Sequence, residues 1–197
     1  MKFIKGFFIF FFVVILLALI AGLFMKKDFH VERSVVVAKP VDEVFEYVKY
    51  LKNQDNYSYW AKLDPQMKKT YTGDDGTVGF VSAWEGNKDV GKGEQKITGI
   101  TDNERIEYEL HFIEPVEMTN TSYMTTTGEG PSSTRVTWAL DGKMNYPMNV
   151  MMPFMSMDKM LGDQLRAGLT GLKSLMEQMP VAPPTPAPAV DSTKLNE

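Results

Sequence analysis

Residues 153–179 read PFMSMDKMLGDQLRAGLTGLKSLMEQM. Phe154, Met157, Leu161, Leu165, Leu169, Leu172, Leu175 or Met176, and Met179 recur at intervals of three or four, the period of one face of an α-helix. Pro153 suits a first turn, where its missing N–H removes no helical bond, and Pro180 ends the run. At 1.5 Å per residue such a helix would be about 40 Å long. Its single apolar stripe needs a partner surface, and the upstream sequence has to provide it.

Upstream the period changes from helical to alternating. In RIEYELHFI (105–113), Ile106, Tyr108, Leu110 and Phe112 share one side, and Glu107, Glu109 and His111 share the other. In TRVTWAL (134–140), Val136, Trp138 and Leu140 share a side likewise. QMKKTYT, TVGFVSAWE, VGKGEQKITGI and VEMTNTSYMTTT complete a set of six short segments. Tight polar punctuation separates them: GDDG, GNKD, TDNE, Glu114-Pro115 and GEGPSS. Short strands joined by tight turns are antiparallel neighbours, and an antiparallel sheet can leave one face wet. Before them, HVERSVVVAKP (30–40) has the β-branched density of a strand. VDEVFEYVKYL (41–51) places Val41, Val44, Phe45, Val48 and Leu51 at helical spacing, and KNQDNYSYWAKLDP is a polar-aromatic connector. The order is strand, helix, six strands, long helix. The sheet's apolar face needs a cover, and only the last helix is long enough.

The ends of the chain differ from this middle region. From Gly6 to Met25 there is no charged residue, about one bilayer span. A cleaved signal peptide would usually have an apolar core of about 7–15 residues and a small-x-small cleavage site; this run is longer, and ALIAGLF fits such a site poorly. Residues 1–27 are therefore read as a single-pass membrane anchor and 28–179 as one domain. Lys2 and Lys5 balance Lys26 and Lys27, so the positive-inside rule does not set the side of the soluble domain. PVAPPTPAPAVDSTKLNE (180–197) alternates Pro with small residues and reads as a disordered tail. The net charge is −4 with no basic stripe, which argues against a nucleic-acid partner. With no cysteine, thiolate metal sites, disulfides and Cys nucleophiles are excluded.

The segments HVERSVVVAKPVDEVFEYV, NYSYWAKLDP, VGFVSAWEGNKDVGKGEQKI, LHFIEPVE, TRVTWALDGKM and LGDQLRAGLTGLKSLME carry a resemblance over about 29–178. In order and spacing they are similar to the START-like (SRPBCC) superfamily, in its polyketide cyclase/dehydratase and lipid-transport branch. The resemblance implies an α+β helix-grip fold, a curved antiparallel sheet wrapped around the C-terminal helix, with an apolar ligand cavity between them. It carries no fixed catalytic residues and no cofactor. The function it implies is binding or carriage of a hydrophobic, lipid-like molecule. The alternative is a cyclase/dehydratase-type enzyme with Tyr, Asp or Glu as acid or base in the same cavity.

Within that expectation, KMNYPMNVMMPFMSMDKM (143–160) holds seven of the chain's fourteen methionines. Soft thioethers suit copper(I), but no Cys or nearby His assists and no metal site is expected. Pliable thioethers also suit the wall of a ligand cavity, and plain core packing is the third reading. Met148, Met151, Met152 and Met155, in the link between last strand and helix, are the candidate lid. The candidate lining adds Tyr57 and Trp60 from the connector, Trp84, Tyr108 and Trp138 from the strands, and Tyr146 beyond them. Asn120 shares parity with Met118, Ser122 and Met124 and would be a polar group among apolar ones, able to orient a ligand. His30 and His111 fall on polar parities and read as surface residues. No GxSxG occurs, and GKGEQK lacks the spacing of a phosphate loop.

Overall fold

The computed structural model describes residues 2–180. The chain runs α1 (Lys2–Gly22), β1 (Asp28–Val37), α2 (Val41–Val48), α3 (Leu51–Gln54), α4 (Tyr59–Leu63), then β2 (Lys68–Thr72), β3 (Val81–Glu85), β4 (Lys92–Thr101), β5 (Arg105–Glu114), β6 (Met118–Gly130) and β7 (Ser133–Lys143). A 3₁₀ turn over Met148–Phe154 leads into α5 (Met157–Gln178). The strands form one seven-stranded antiparallel sheet in the order β1-β7-β6-β5-β4-β3-β2. Register shifts between Ile97 and Gly99 and between Gly128 and Gly130 bend it. This is the helix-grip architecture, with α5 across the concave face.

The C-terminal helix starts later than its period suggests. Residues 148–154 wind as a 3₁₀ turn, Met155 N–H donates back to Met151 O at 3.1 Å, and Phe154 is 82% exposed. Ser156 then caps α5, its Oγ accepting from Lys159 N–H at 3.2 Å. Twenty-two residues give about 33 Å rather than 40. The stripe that begins at Met157 is the part that meets the sheet.

Polar contacts fix α5 along β1. Near its start, the Arg33 guanidinium donates to Asp158 Oδ1 at 2.9 Å, to Oδ2 at 3.0 Å and to Asp158 O at 2.9 Å. Gly162 makes room for it, since a Cβ there would collide with the guanidinium. Near the other end, Glu177 Oε1 accepts from Ala38 N–H at 2.9 Å and Lys173 Nζ donates to Val36 O at 2.6 Å.

The space between sheet and helix has two halves. Towards the end of α5, Leu165, Leu169, Leu172 and Met176 pack with Val37, Val44, Phe45, Ile106, Tyr108 and Val136 into a closed core. Towards its start, Met157 and Leu161 stay half-buried over an open volume. That open half lies at the sheet end defined by Asp28, Lys143, Met118, Glu114, Lys92, Glu85 and Lys68. α1 joins the sheet at this same end. Its stretch Phe3–Gly22 is long and apolar enough to cross a membrane, a test that a signal sequence also passes. The Pro-rich run beyond Pro180 lies outside the described residues.

Both histidines sit on the outer face. His111 lies 3.5 Å from Glu117 and 3.9 Å from Glu94, away from the interior. His30 Nδ1 is 2.7 Å from Asp141 Oδ1 and its Nε2 is 3.5 Å from Glu32. The hydrogen bond to Asp141 raises its pKa above the ordinary histidine value, and Glu32 adds to the effect.

Two outcomes follow from this packing. Leu169 is 1% exposed at the centre of the closed half, so Leu169→Ala should cost about 2–5 kcal/mol, read as a lower urea midpoint at unchanged m-value. A loss well under 1 kcal/mol would show that the stripe is not core. His30 gains partners on folding, so its contribution is complete below about pH 6.5 and fades as pH rises through the higher folded-state value. The ring is about half exposed, which holds the effect under about 1 kcal/mol. Urea midpoints between pH 5 and 8 should therefore fall more steeply for the parent than for His30→Gln, and parallel slopes would contradict the pairing.

Candidate ligand cavity

The open half encloses a cavity of about 270 Å³ between the concave face and the first turns of α5. Strand alternation builds it, because every second residue of a strand faces the same way. β5 contributes Leu110 and Phe112, β6 contributes Met118, Asn120 and Ser122, and β7 contributes Trp138 and Leu140. Trp84 and Gln95 add the β3–β4 side, Trp60 and Ala61 on α4 close the flank, and Met157 and Leu161 form the roof. Leu110, Asn120, Ser122, Trp138 and Leu140 are buried, whereas Met67, Trp84, Val90, Phe112, Met118 and Met157 are only half-buried. The cavity is thus deepest at mid-sheet and most accessible at the sheet end that carries α1.

Trp138 divides cavity from core. Its ring meets Tyr57 at 6.1 Å and Trp60 at 5.8 Å, both edge-on. The bare Cα of Gly168 lets α5 approach it, since a Cβ there would sit 3.0 Å from the indole. Trp138 Nε1 donates to Ser122 Oγ at 3.2 Å, and Ser122 Oγ donates to Ala139 O at 2.7 Å. Two polar groups of the floor are thereby satisfied.

Asn120 is different. It is 6% exposed, its Nδ2 reaches only Met118 Sδ at 3.8 Å, and its Oδ1 has no hydrogen-bond partner among the described residues. A buried amide oxygen left unpaired costs about 1–3 kcal/mol. The charged groups of the lining are better matched: Asp55 accepts from Lys69 Nζ at 2.7 Å and from Tyr71 Oη at 2.9 Å. Burial and the neighbouring Asp55 push the Tyr71 phenol up to about 12.

Of the residues singled out in the sequence, Trp60, Trp84, Asn120 and Trp138 converge on the cavity. Tyr57 and Tyr108 lie behind its wall, 0% and 1% exposed, and burial pushes both phenols well above their ordinary value. Tyr57 Oη donates to Met124 Sδ at 3.7 Å. Tyr146, Met148, Met151, Met152 and Met155 do not line the cavity. Strand geometry ends at Lys143, and the chain then turns back onto the end of α1. There Asn149 Nδ2 donates to Gly22 O at 2.6 Å, and a Cβ on Gly22 would meet Val150 and Tyr146. The thioethers that do line the cavity are Met67, Met118 and Met157. Met118 is within reach of the parity argument that singles out Asn120; Gln54 and Ser58 approach from a connector whose path no period predicts, and Met67 stands one residue before β2 in a segment with no apolar parity. A wider groove of about 720 Å³, outside α5, is lined by Asn56, Lys62, Thr170 and Gln178 among others. Its lining is mostly exposed, so it encloses no ligand-sized apolar space.

Comparisons with known proteins agree with this geometry. The family model described as polyketide cyclase / dehydrase and lipid transport matches residues 28–177. No curated protein matches the chain. Among solved structures, truncated norcoclaurine synthase from Thalictrum flavum superposes with a TM-score of 0.57 at 12% identity, covering 79% of this chain and 98% of that one. A Nitrosospira multiformis protein gives a TM-score of 0.51 at 18% identity, covering 75% and 95%. The Bacillus cereus protein XoxI gives 0.56 at 14% identity, covering 78% and 97%. At these identities the likeness is one of fold. The family model, which spans most of the chain and the whole of the grip, places this protein in the polyketide cyclase/dehydrase and lipid-transport family.

Proposed function

We propose that the cavity binds an apolar small molecule bearing one hydrogen-bond-donating group, and that α1 holds the domain over residues 28–179 at a membrane. The observation that carries the reading is Asn120: a buried, unpaired carbonyl oxygen in a mostly apolar lining. A hydroxyl delivered by a ligand recovers the cost of leaving that oxygen dry, while the surrounding Leu110, Leu140, Phe112 and Trp138 take the apolar body. At about 270 Å³ the volume lies just below the roughly 300–1,000 Å³ of most small-molecule sites, which calls for a slender ligand. Tethering beside a bilayer would keep the site where such ligands partition, and the length and composition of Phe3–Gly22 support it.

The second reading is catalysis, and Asp55 is the observation in its favour, a carboxylate in the lining. Norcoclaurine synthase, a fold neighbour at 14% identity with a TM-score of 0.56, has been solved with dopamine and hydroxybenzaldehyde. Against that reading, Asp55 is already held by Lys69 and Tyr71. The raised phenols of Tyr57 and Tyr108 are poor bases near neutral pH. Binding without turnover accords better with these groups.

A pair of ligands separates the roles of Asn120 and the apolar wall. The full chain in phospholipid nanodiscs is titrated with a long-chain alcohol and with its methyl ether, each displacing a fluorescent fatty-acid probe. The parent should prefer the alcohol by about tenfold, equivalent to one net hydrogen bond of about 1.4 kcal/mol. Asn120→Leu should erase the preference, keep the ether affinity and leave thermal stability equal or higher. An unchanged preference in Asn120→Leu would remove the amide from the site.

A further inference from the structure

We infer, resting on the tether reading, that the cavity mouth is itself a membrane-contacting surface. The turn between β5 and β6 and the methionine-rich 3₁₀ turn lie in the interfacial layer of the bilayer, so that ligand passes between lipid and cavity without crossing bulk water. The geometry comes from the sheet register. Asp28 pairs with Lys143, Phe112 with Met118, and Lys92 with Glu114. The start of β1, the 3₁₀ turn that follows β7 and the β5–β6 turn therefore share one end of the sheet. Phe112 and Met118, the last cross-strand pair before that β5–β6 turn, are half-buried members of the cavity lining.

The β5–β6 turn and the 3₁₀ turn expose large apolar side chains at this end, beside the polar β3–β4 turn over 86–89. Val116 is 47% exposed on the β5–β6 turn and Ile113 41% exposed at the end of β5, and Met148, Met151 and Phe154 are 53%, 49% and 82% exposed on the 3₁₀ turn. The turns of the opposite end, 73–80, 102–104 and 131–132, expose one large apolar side chain, Val78. An apolar patch concentrated at one end marks a contact surface.

Continuity with α1 identifies the occupant. The 3₁₀ turn is hydrogen-bonded to the end of α1 through Asn149 and Gly22, and Val150 and Tyr146 pack on the same glycine. Residues 23–27 are all that separate α1 from β1. Fully extended, that link spans at most about 20 Å, so this end of the sheet cannot move far from the surface of a bilayer that holds α1. Exposed Phe, Met, Ile and Val on a surface held there bury their apolar area at the headgroup–acyl boundary. The methionines have a place in this arrangement that neither a lid nor a copper site requires: pliable apolar side chains against a disordered partner.

The chain has no cysteine, so single cysteines can be introduced and labelled cleanly. Val116→Cys, Phe154→Cys and, as a control at the far end, Ser132→Cys are each labelled with an environment-sensitive fluorophore in the full chain and reconstituted into phosphatidylcholine vesicles. Flotation with the vesicles reads the tether, and quenching by nitroxide-bearing lipids reads depth. The expected result is flotation of all three, with labels at 116 and 154 quenched several-fold more than the label at 132. Flotation with equal quenching at all three positions overturns the inference and leaves the tether standing. Quenching at 154 but not at 116 confines contact to the neighbourhood of α1 and overturns the claim for the mouth. Failure to float removes the tether, and the inference with it.

Discussion

Trp138 stands where the filled half of the interior meets the open half. On one side its indole packs against Tyr57 and the bare backbone of Gly168. On the other it faces the cavity beside Trp60, and beneath it Ser122 takes up its N–H. The leucines of α5 can close over the far half only because this large ring ends the core and Gly168 admits it. Beyond the ring, Met157 and Leu161 bridge a gap that no sheet residue fills. The grip is one layer of helix on one layer of sheet, and a long rigid helix across a bent sheet meets it closely over only part of its length. The cavity is the remainder, and its place follows from where the large side chains were spent.

That arrangement assigns different tasks to similar residues. Leu165 and Leu161 lie one turn apart on the same stripe, yet the first is sealed core and the second is roof. Tyr57 and Tyr108 have the composition of site residues and the burial of structural ones. Asn120 has the reverse character: a polar residue on an apolar face, kept at the cost of an unpaired oxygen. In a core meant only to be stable, leucine would serve better at that position. The donor group of the proposed ligand would offset that desolvation.

Much of the fold was legible in the sequence because it rests on periods. Alternation in 105–113 and 134–140 marked the inward face, and the three-four spacing from Met157 onward marked the helix that covers it. The same parity brought Asn120, Trp84 and Trp138 towards the cavity. What periods do not encode is the path of irregular chain. Residues 144–156 carry an apolar composition that continues the helix stripe by spacing, but Pro147 and Pro153 break the ladder and 148–154 wind as a 3₁₀ turn against α1. Met148, Met151, Met152 and Met155, a candidate lid by sequence, therefore lie outside the cavity lining. Conversely, Gln54 and Ser58 reach the lining from a connector, where composition gives no direction.

The central claim is that the open half of the grip holds an apolar molecule with a hydrogen-bonding head. Organic extraction and mass spectrometry of the full chain purified in nanodiscs test it most directly, with Ala61→Trp beside it to fill the cavity from α4. The account predicts one apolar, hydroxyl-bearing species enriched over bulk nanodisc lipid at close to one per parent chain. The same species should be absent from Ala61→Trp, with the variant's circular dichroism unchanged. Equal recovery from both proteins, or a parent that carries no enriched species and fails to displace a fatty-acid probe, would contradict it.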